Sequence, residues 1–197
     1  MIMEQPVTRT EVLDIAQYEK ARPAFRDQVL GLKKHRQIIV GDHFNFIFEN
    51  HQTVLYQIQE MMRVERIVDE AAIAHEISTY NELIPPKGGL SATLLIEYED
   101  AESRQQHLSN LLGLENHVAL VVGNLPPVKG VFSEQQIGED RISSVQYLVF
   151  PLEADHRTGW EKAAQAGTLS LQVDHPHYSH KKIIASEIAA ALAKDFA

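Results

Sequence analysis

The stretch RQIIVGDHFNFIFE, residues 36–49, limits the architecture most tightly. RQIIV reads as a strand, Gly41-Asp42 as a two-residue turn with glycine first, and HFNFIFE as the returning partner. Phe44, Phe46 and Phe48 point to one face, and His43, Asn45 and Ile47 to the other. Strands joined by so short a turn are antiparallel, because a parallel pair needs a crossover of about a dozen residues or more.

A helix pair is expected next. In TVLYQIQEMMRVERI, residues 53–67, Leu55, Ile58, Met61 and Met62 share one side of a helix, and Glu65 falls on that same side. Tyr56, Gln59, Glu60, Arg63 and Arg66 gather opposite. The apolar stripe drifts when carried on to Ile73, Ile77 and Tyr80. This predicts a break near Val68, with Asn50 capping the first helix and Asp69 a second that runs to about Leu83. IPPKGG then stops it. Ahead of the hairpin, Thr10 is expected to cap a helix and Pro23 to start another.

The second half alternates further. SATLLIEYE reads as a strand, Asp100 caps a helix, and HVALVVG and VKGVFSE form a second hairpin-like pair around NLPP. ISSVQYLVFPL and TLSLQVDHP are further strands; RTGWEKAAQAG and IASEIAAALAKDF are helices, with Trp160 as a core plug. The expectation is one α+β domain over residues 1–197. It has a mainly antiparallel sheet, a helical N-terminal part and a central helix pair, with a seam at 85–89.

Charge and composition narrow the functional classes. The net charge is −9, concentrated in the middle of the chain, which disfavours nucleic acid and anionic membrane surfaces as partners. There is no cysteine, which excludes disulfides, a thiol nucleophile and a Cys-ligated iron–sulfur cluster. No apolar run reaches the roughly 18 residues of a membrane span. The first residues lack a signal-peptide pattern, so a cytoplasmic protein is expected. No GxGxxG, GxxxxGK[ST] or GxSxG motif is present.

Two constellations could carry chemistry. Glu65 on the apolar side of its helix implies an inward carboxylate, and folding the helix pair back would bring it to Glu76 and Tyr80. Such a group must be paired or protonated. It could serve as an acid–base or metal-binding carboxylate, or accept structurally from Arg141 or Tyr147. Tyr56 and Arg63, on the polar side, belong either to a solvated face or to a partner-binding surface. The second constellation is DHPHYSH, where His175, His177 and His180 beside Asp174 offer ligands for Zn, Fe or Mn. The alternative is a His-rich turn.

FEN at 48–50, TVLYQIQEMMRVERI at 53–67, YNELIP at 80–85, LSATLLIEY at 90–98, EDRISSVQYLVFPL at 139–152 and VDHP at 173–176 resemble an uncharacterised bacterial family labelled as a domain of unknown function. The resemblance implies genes that lie near rubrerythrin-like and iron–sulfur redox proteins. It therefore implies an accessory or binding protein serving a redox or oxidant-defence system, with a redox partner protein. A homo-oligomer is left open. The alternative is a small His/carboxylate metal-binding protein or metalloenzyme.

Overall fold

The computed structural model describes residues 6–196, which contain six α-helices and nine strands. Five strands form one antiparallel sheet in the order β1 (Gln37–Val40), β2 (Phe44–Phe48), β3 (Leu90–Ile96), β7 (Val145–Phe150), β6 (Val131–Phe132). A second, four-stranded antiparallel sheet runs β5 (Val128–Lys129), β4 (Val118–Val122), β8 (Leu169–His175), β9 (Tyr178–Ile183). The α+β class and the antiparallel pairing agree with the sequence.

Alternation gives the larger sheet two unlike faces. Phe44, Phe46 and Phe48 are fully buried on one face, in line with Ala92, Leu94 and Phe150. Each buried aromatic side chain there contributes about 1.5–3 kcal/mol. That face shares an apolar cluster with Leu120 and Leu171 of the smaller sheet and with Trp160 of α5 (Ala154–Gln165). Trp160 is buried, and its indole N–H donates to Ala189 O at 2.9 Å in α6 (Ser186–Leu192). A separate cluster, including Val54, Ile58, Met62, Ile73 and Ile77, joins α2 (His51–Glu65) to α3 (Glu70–Asn81).

The helix pair breaks where expected. Asn50 Oδ1 accepts from Thr53 N at 3.0 Å, and Asp69 Oδ1 accepts from Ala71 N and Ala72 N, each at 3.0 Å. Arg66 takes the left-handed conformation (φ 56°) that ends α2. Asp100 caps α4 (Ala101–Asn110) through Ser103 N at 2.7 Å. Residues 85–89 lead from α3 to β3, which pairs with β2, so the larger sheet draws on both sides of that stretch.

Four local expectations are corrected. The N-terminal helix is one element, α1 (Ile15–Lys34), capped by Asp14 rather than Thr10, and Pro23 lies within it. Packing of α1 along α2 outweighs the backbone hydrogen bond that proline forfeits. The β1–β2 connection has three residues, because Val40 pairs with Phe44. VKGVFSE splits at Gly130: β5 joins the smaller sheet and β6 the larger. A Cβ at Gly130 would lie 2.9 Å from Leu148 Cδ1, so only glycine passes between the two sheets without displacing the core. The residues after DHP form β9, the antiparallel partner of β8.

An anionic, aromatic-walled cavity under the helix pair

The second face of the larger sheet holds a polar row. Ile47, Thr93 and Tyr147 lie side by side across β2, β3 and β7. One step along, Glu49 N donates to Ser91 O at 2.9 Å, and Ser91 pairs with Val149. Because side chains alternate, Glu49 follows Asn45 and Ile47 onto this face and leaves the phenylalanine face behind. α2 and α3 cover the row without filling it. A cavity of about 550 Å³ remains, walled by Tyr80, Tyr147 and Phe132, with Glu49, Glu65 and Glu76 among its other lining residues.

Glu49 is the innermost acidic side chain of the lining. It is 1% exposed, and its two oxygens accept from Thr53 Oγ1 (2.5 Å), Thr93 Oγ1 (2.6 Å) and Gln57 Nε2 (2.9 Å). All three donors are neutral. Among the described residues no Lys, Arg or His forms an ion pair with Glu49. A buried carboxylate so placed is strongly biased toward any cation that reaches it. Its backbone is fixed from behind: Arg36 donates to Phe48 O (2.7 Å) and Glu49 O (2.9 Å) and pairs with Asp195.

The walls reinforce the negative potential. Burial raises the Tyr80 hydroxyl above the usual tyrosine range, and Tyr147, Glu76 and Glu65 push it further. Burial also raises Tyr147, with a contribution from Glu49. Both phenols therefore stay protonated at neutral pH and can donate hydrogen bonds. No Lys, Arg or His lines the cavity, whereas Glu82 adds a fourth carboxylate.

The helix pair thus brings Glu65, Glu76 and Tyr80 to one cavity, together with Tyr147. Glu65 itself corrects an expectation. It is exposed at the cavity rim and makes no hydrogen bond or ion pair with the described residues, while Arg141 lines a different cleft. Its position near the C-terminal end of α2 lets its carboxylate reach water. The inward glutamate is Glu49, signalled in the sequence only by an acidic residue directly after the Phe-x-Phe-x-Phe alternation.

Tyr56 and Arg63 are half-buried and pack toward α1. The Tyr56 ring meets Phe25 edge-on at 5.9 Å, and Arg63 reaches Glu19 at 3.4 Å. Along the same seam Gln59 brackets Leu13, accepting from its N–H (2.7 Å) and donating to its carbonyl (3.1 Å). Glu60 accepts from Arg22 (2.7 and 2.9 Å) and Tyr18 (2.7 Å). Gln59 and Glu60, on the polar side of α2, therefore lie in an intramolecular seam, whereas Arg66 is exposed.

The His175 and His177 rings are neighbours, 5.8 Å between centroids, whereas His180 packs on Tyr178. His175 is buried, with Nδ1 accepting from His177 N (3.2 Å) and Nε2 therefore donating to Leu112 O (3.1 Å). Both ring nitrogens are engaged. His177 and His180 are exposed. Among the described residues no group of three or more His, Cys, Asp or Glu side chains is placed to hold a metal ion. Only Pro176 and His177 connect β8 to β9.

Fold and cavity together define an α+β protein of two antiparallel sheets, with an acidic, aromatic-walled cavity between the larger sheet and a helix pair. The chain belongs to the family described as "Protein of unknown function (DUF3501)", which matches residues 6–196. It is similar to a crystal structure of a novel protein of unknown function from Burkholderia pseudomallei K96243, at 34% identity and a TM-score of 0.89. That match covers 98% of this chain and 100% of the other. No curated protein matches the chain. Among the described residues no helix is long and apolar enough to cross a membrane.

Proposed function

We propose that this protein binds a small organic cation, an amine or guanidinium with an apolar body, in the cavity under α2 and α3. The observation that carries the reading is Glu49: a buried carboxylate held only by neutral donors, on the wall of a cavity with no basic side chain. Tyr80, Tyr147 and Phe132 offer ring faces to the same ligand, and a cation over such a face gains about 0.5–2 kcal/mol. A cavity of about 550 Å³ suits a molecule of modest size. Binding is favoured over catalysis because Ser91, the innermost hydroxyl of the lining, already donates to Leu83 O (2.5 Å) and has no histidine or lysine beside it in the lining.

Calorimetric titration with benzylamine, benzyl alcohol and benzoate tests the charge preference on one carbon skeleton. Benzylamine is expected to bind best, and comparable binding of the alcohol or benzoate overturns the reading. An accessory role in the cytoplasm beside a redox partner protein is supported by the family resemblance alone. Co-purification from native lysate tests it, and recovery of the chain without a redox protein counts against it.

A further inference from the structure

A second cleft, of about 510 Å³, opens between α4 and the 135–144 loop, and its charge is opposite. Arg104 of α4 and Arg141 of the loop line it, with Ser143 and Ser144, and no Asp or Glu does. Among the described residues neither guanidinium forms a hydrogen bond or ion pair. The carboxylate that acts on Arg104, Asp100, lies outside the lining and is occupied in capping α4. Two guanidinium groups thus line one concavity whose lining holds no carboxylate to balance them.

The loop is held in shape. Ile137 and Ile142 form a β-bridge, Gly138 N donates to Arg141 O (3.1 Å), and Ile142 N donates to Leu108 O (3.3 Å), tying the loop to α4. From beneath, buried Gln146 donates to Gln136 O (3.0 Å) and Ser143 O (2.8 Å). Ser143 Oγ accepts from Val145 N (3.1 Å), which leaves the hydroxyl proton free to donate. Arg141 is thus carried by a preorganised turn.

We infer that this cleft binds the phosphate group of a small molecule. Guanidinium forks match the oxygens of a tetrahedral oxyanion two at a time, and serine hydroxyls complete such a shell. The cleft is larger than a bare phosphate requires, and Leu108, Ile137 and Ile142 give it an apolar side for a carbon skeleton. The site is independent of the cation reading, although Gln135 and Gln136 line both cavities and form a shared wall.

The test is an amide-resolved NMR titration of the isotope-labelled protein with inorganic phosphate and then with glycerol phosphate, at ionic strength fixed with chloride. Saturable shifts are expected in α4 and the 135–144 loop, with glycerol phosphate binding more tightly. Arg104→Gln and Arg141→Gln should each weaken binding by about ten- to a hundredfold, the loss of a charge-assisted hydrogen-bonded pair. A Lys181→Gln/Lys182→Gln variant on β9 should leave it unchanged. Non-saturating shifts spread over all basic side chains, or equal loss in the β9 variant, overturn the assignment. Glycerol phosphate binding no better than inorganic phosphate overturns the small-molecule part of it. Arg141 is exposed and Arg104 half-buried, and an unchanged melting temperature shows that each variant folds.

Discussion

Thr93 donates its hydroxyl proton to the carboxylate of Glu49 at 2.6 Å, joining two residues 44 positions apart on the helix-covered face of the larger sheet. The bond fixes the one deeply buried acidic side chain of the cavity under the helix pair. Thr93→Val is expected to destabilise the protein by about 1–3 kcal/mol, because a buried oxygen loses a donor. Glu49→Gln should cost a similar amount, since its amide N–H₂ meets Thr53, Thr93 or Gln57 as donor against donor. It should also abolish the preference for benzylamine over benzyl alcohol. Chemical denaturation and calorimetry read the two effects separately. Retention of that preference in Glu49→Gln removes Glu49 from the site.

Acid should loosen the seam between α1 and α2. The Arg22 guanidinium, and then the Tyr18 hydroxyl, hold the Glu60 carboxyl below the usual glutamate range against the opposing effect of burial. A depressed folded-state pKa stabilises the protein above the unfolded value of about 4.3 and is lost as pH falls through the folded value. Stability measured from neutral pH downward should therefore drop below about pH 4–5, and Glu60→Gln should flatten that part of the profile. The pair is partly solvent-exposed, so the effect should stay near or below about 1 kcal/mol.

Alkali acts through the opposite sign. Burial raises the hydroxyls of Tyr18, Tyr80, Tyr98, Tyr147 and Tyr178. Phenolate absorbance of the folded protein should lag behind that of the denatured chain as pH passes about 10. The stability these phenols contribute is present below that pH and is lost above it. Superimposable titrations of folded and denatured protein would contradict the burial of these rings.

Gly41 has φ +65°, and a Cβ there would clash with the Tyr178 hydroxyl. That hydroxyl donates to Val40 O (2.7 Å), and its ring stacks on Phe44 at 3.9 Å. Gly41→Ala should lower stability by about 1–3 kcal/mol. In a Tyr178→Phe background, where the clashing oxygen is absent, the same substitution should cost less; additive losses in a double-mutant cycle would deny the contact.

Because both nitrogens of His175 are already engaged, the 175–180 turn should not depend on a metal. Dialysis against EDTA should leave the melting temperature unchanged, and His177→Ala, at an exposed site, should fall within about 0.5 kcal/mol of the parent. Stoichiometric zinc, iron or manganese in untagged protein would reverse this.

What the sequence disclosed was local. Asn50 and Asp69 announce their helix starts because a cap acts within three residues, and the alternation of Phe44, Phe46 and Phe48 announces a buried strand face. The meeting of Glu65, Glu76 and Tyr80 followed from the break between those helices. What stayed hidden depends on distant partners. The side of α2 bearing Gln59 and Glu60 looks solvated until α1 lies across it, and Pro23 looks like a helix start until that packing carries the helix through. Glu65 drew attention by its place on a helical stripe, yet a glutamate near a helix end can turn outward. Glu49 carries little local signal, because its significance comes from Thr93 and Tyr147 on neighbouring strands.

The bond between Arg36 and Asp195 also has a bearing on synthesis. Arg36 grips the carbonyls of Phe48 and Glu49, and the carboxylate that balances its charge is 159 positions later in the chain. While the polypeptide is still growing on the ribosome, the guanidinium has to remain hydrated or be buried without that counter-ion. The Glu49 site therefore reaches its final form only after translation has passed residue 195.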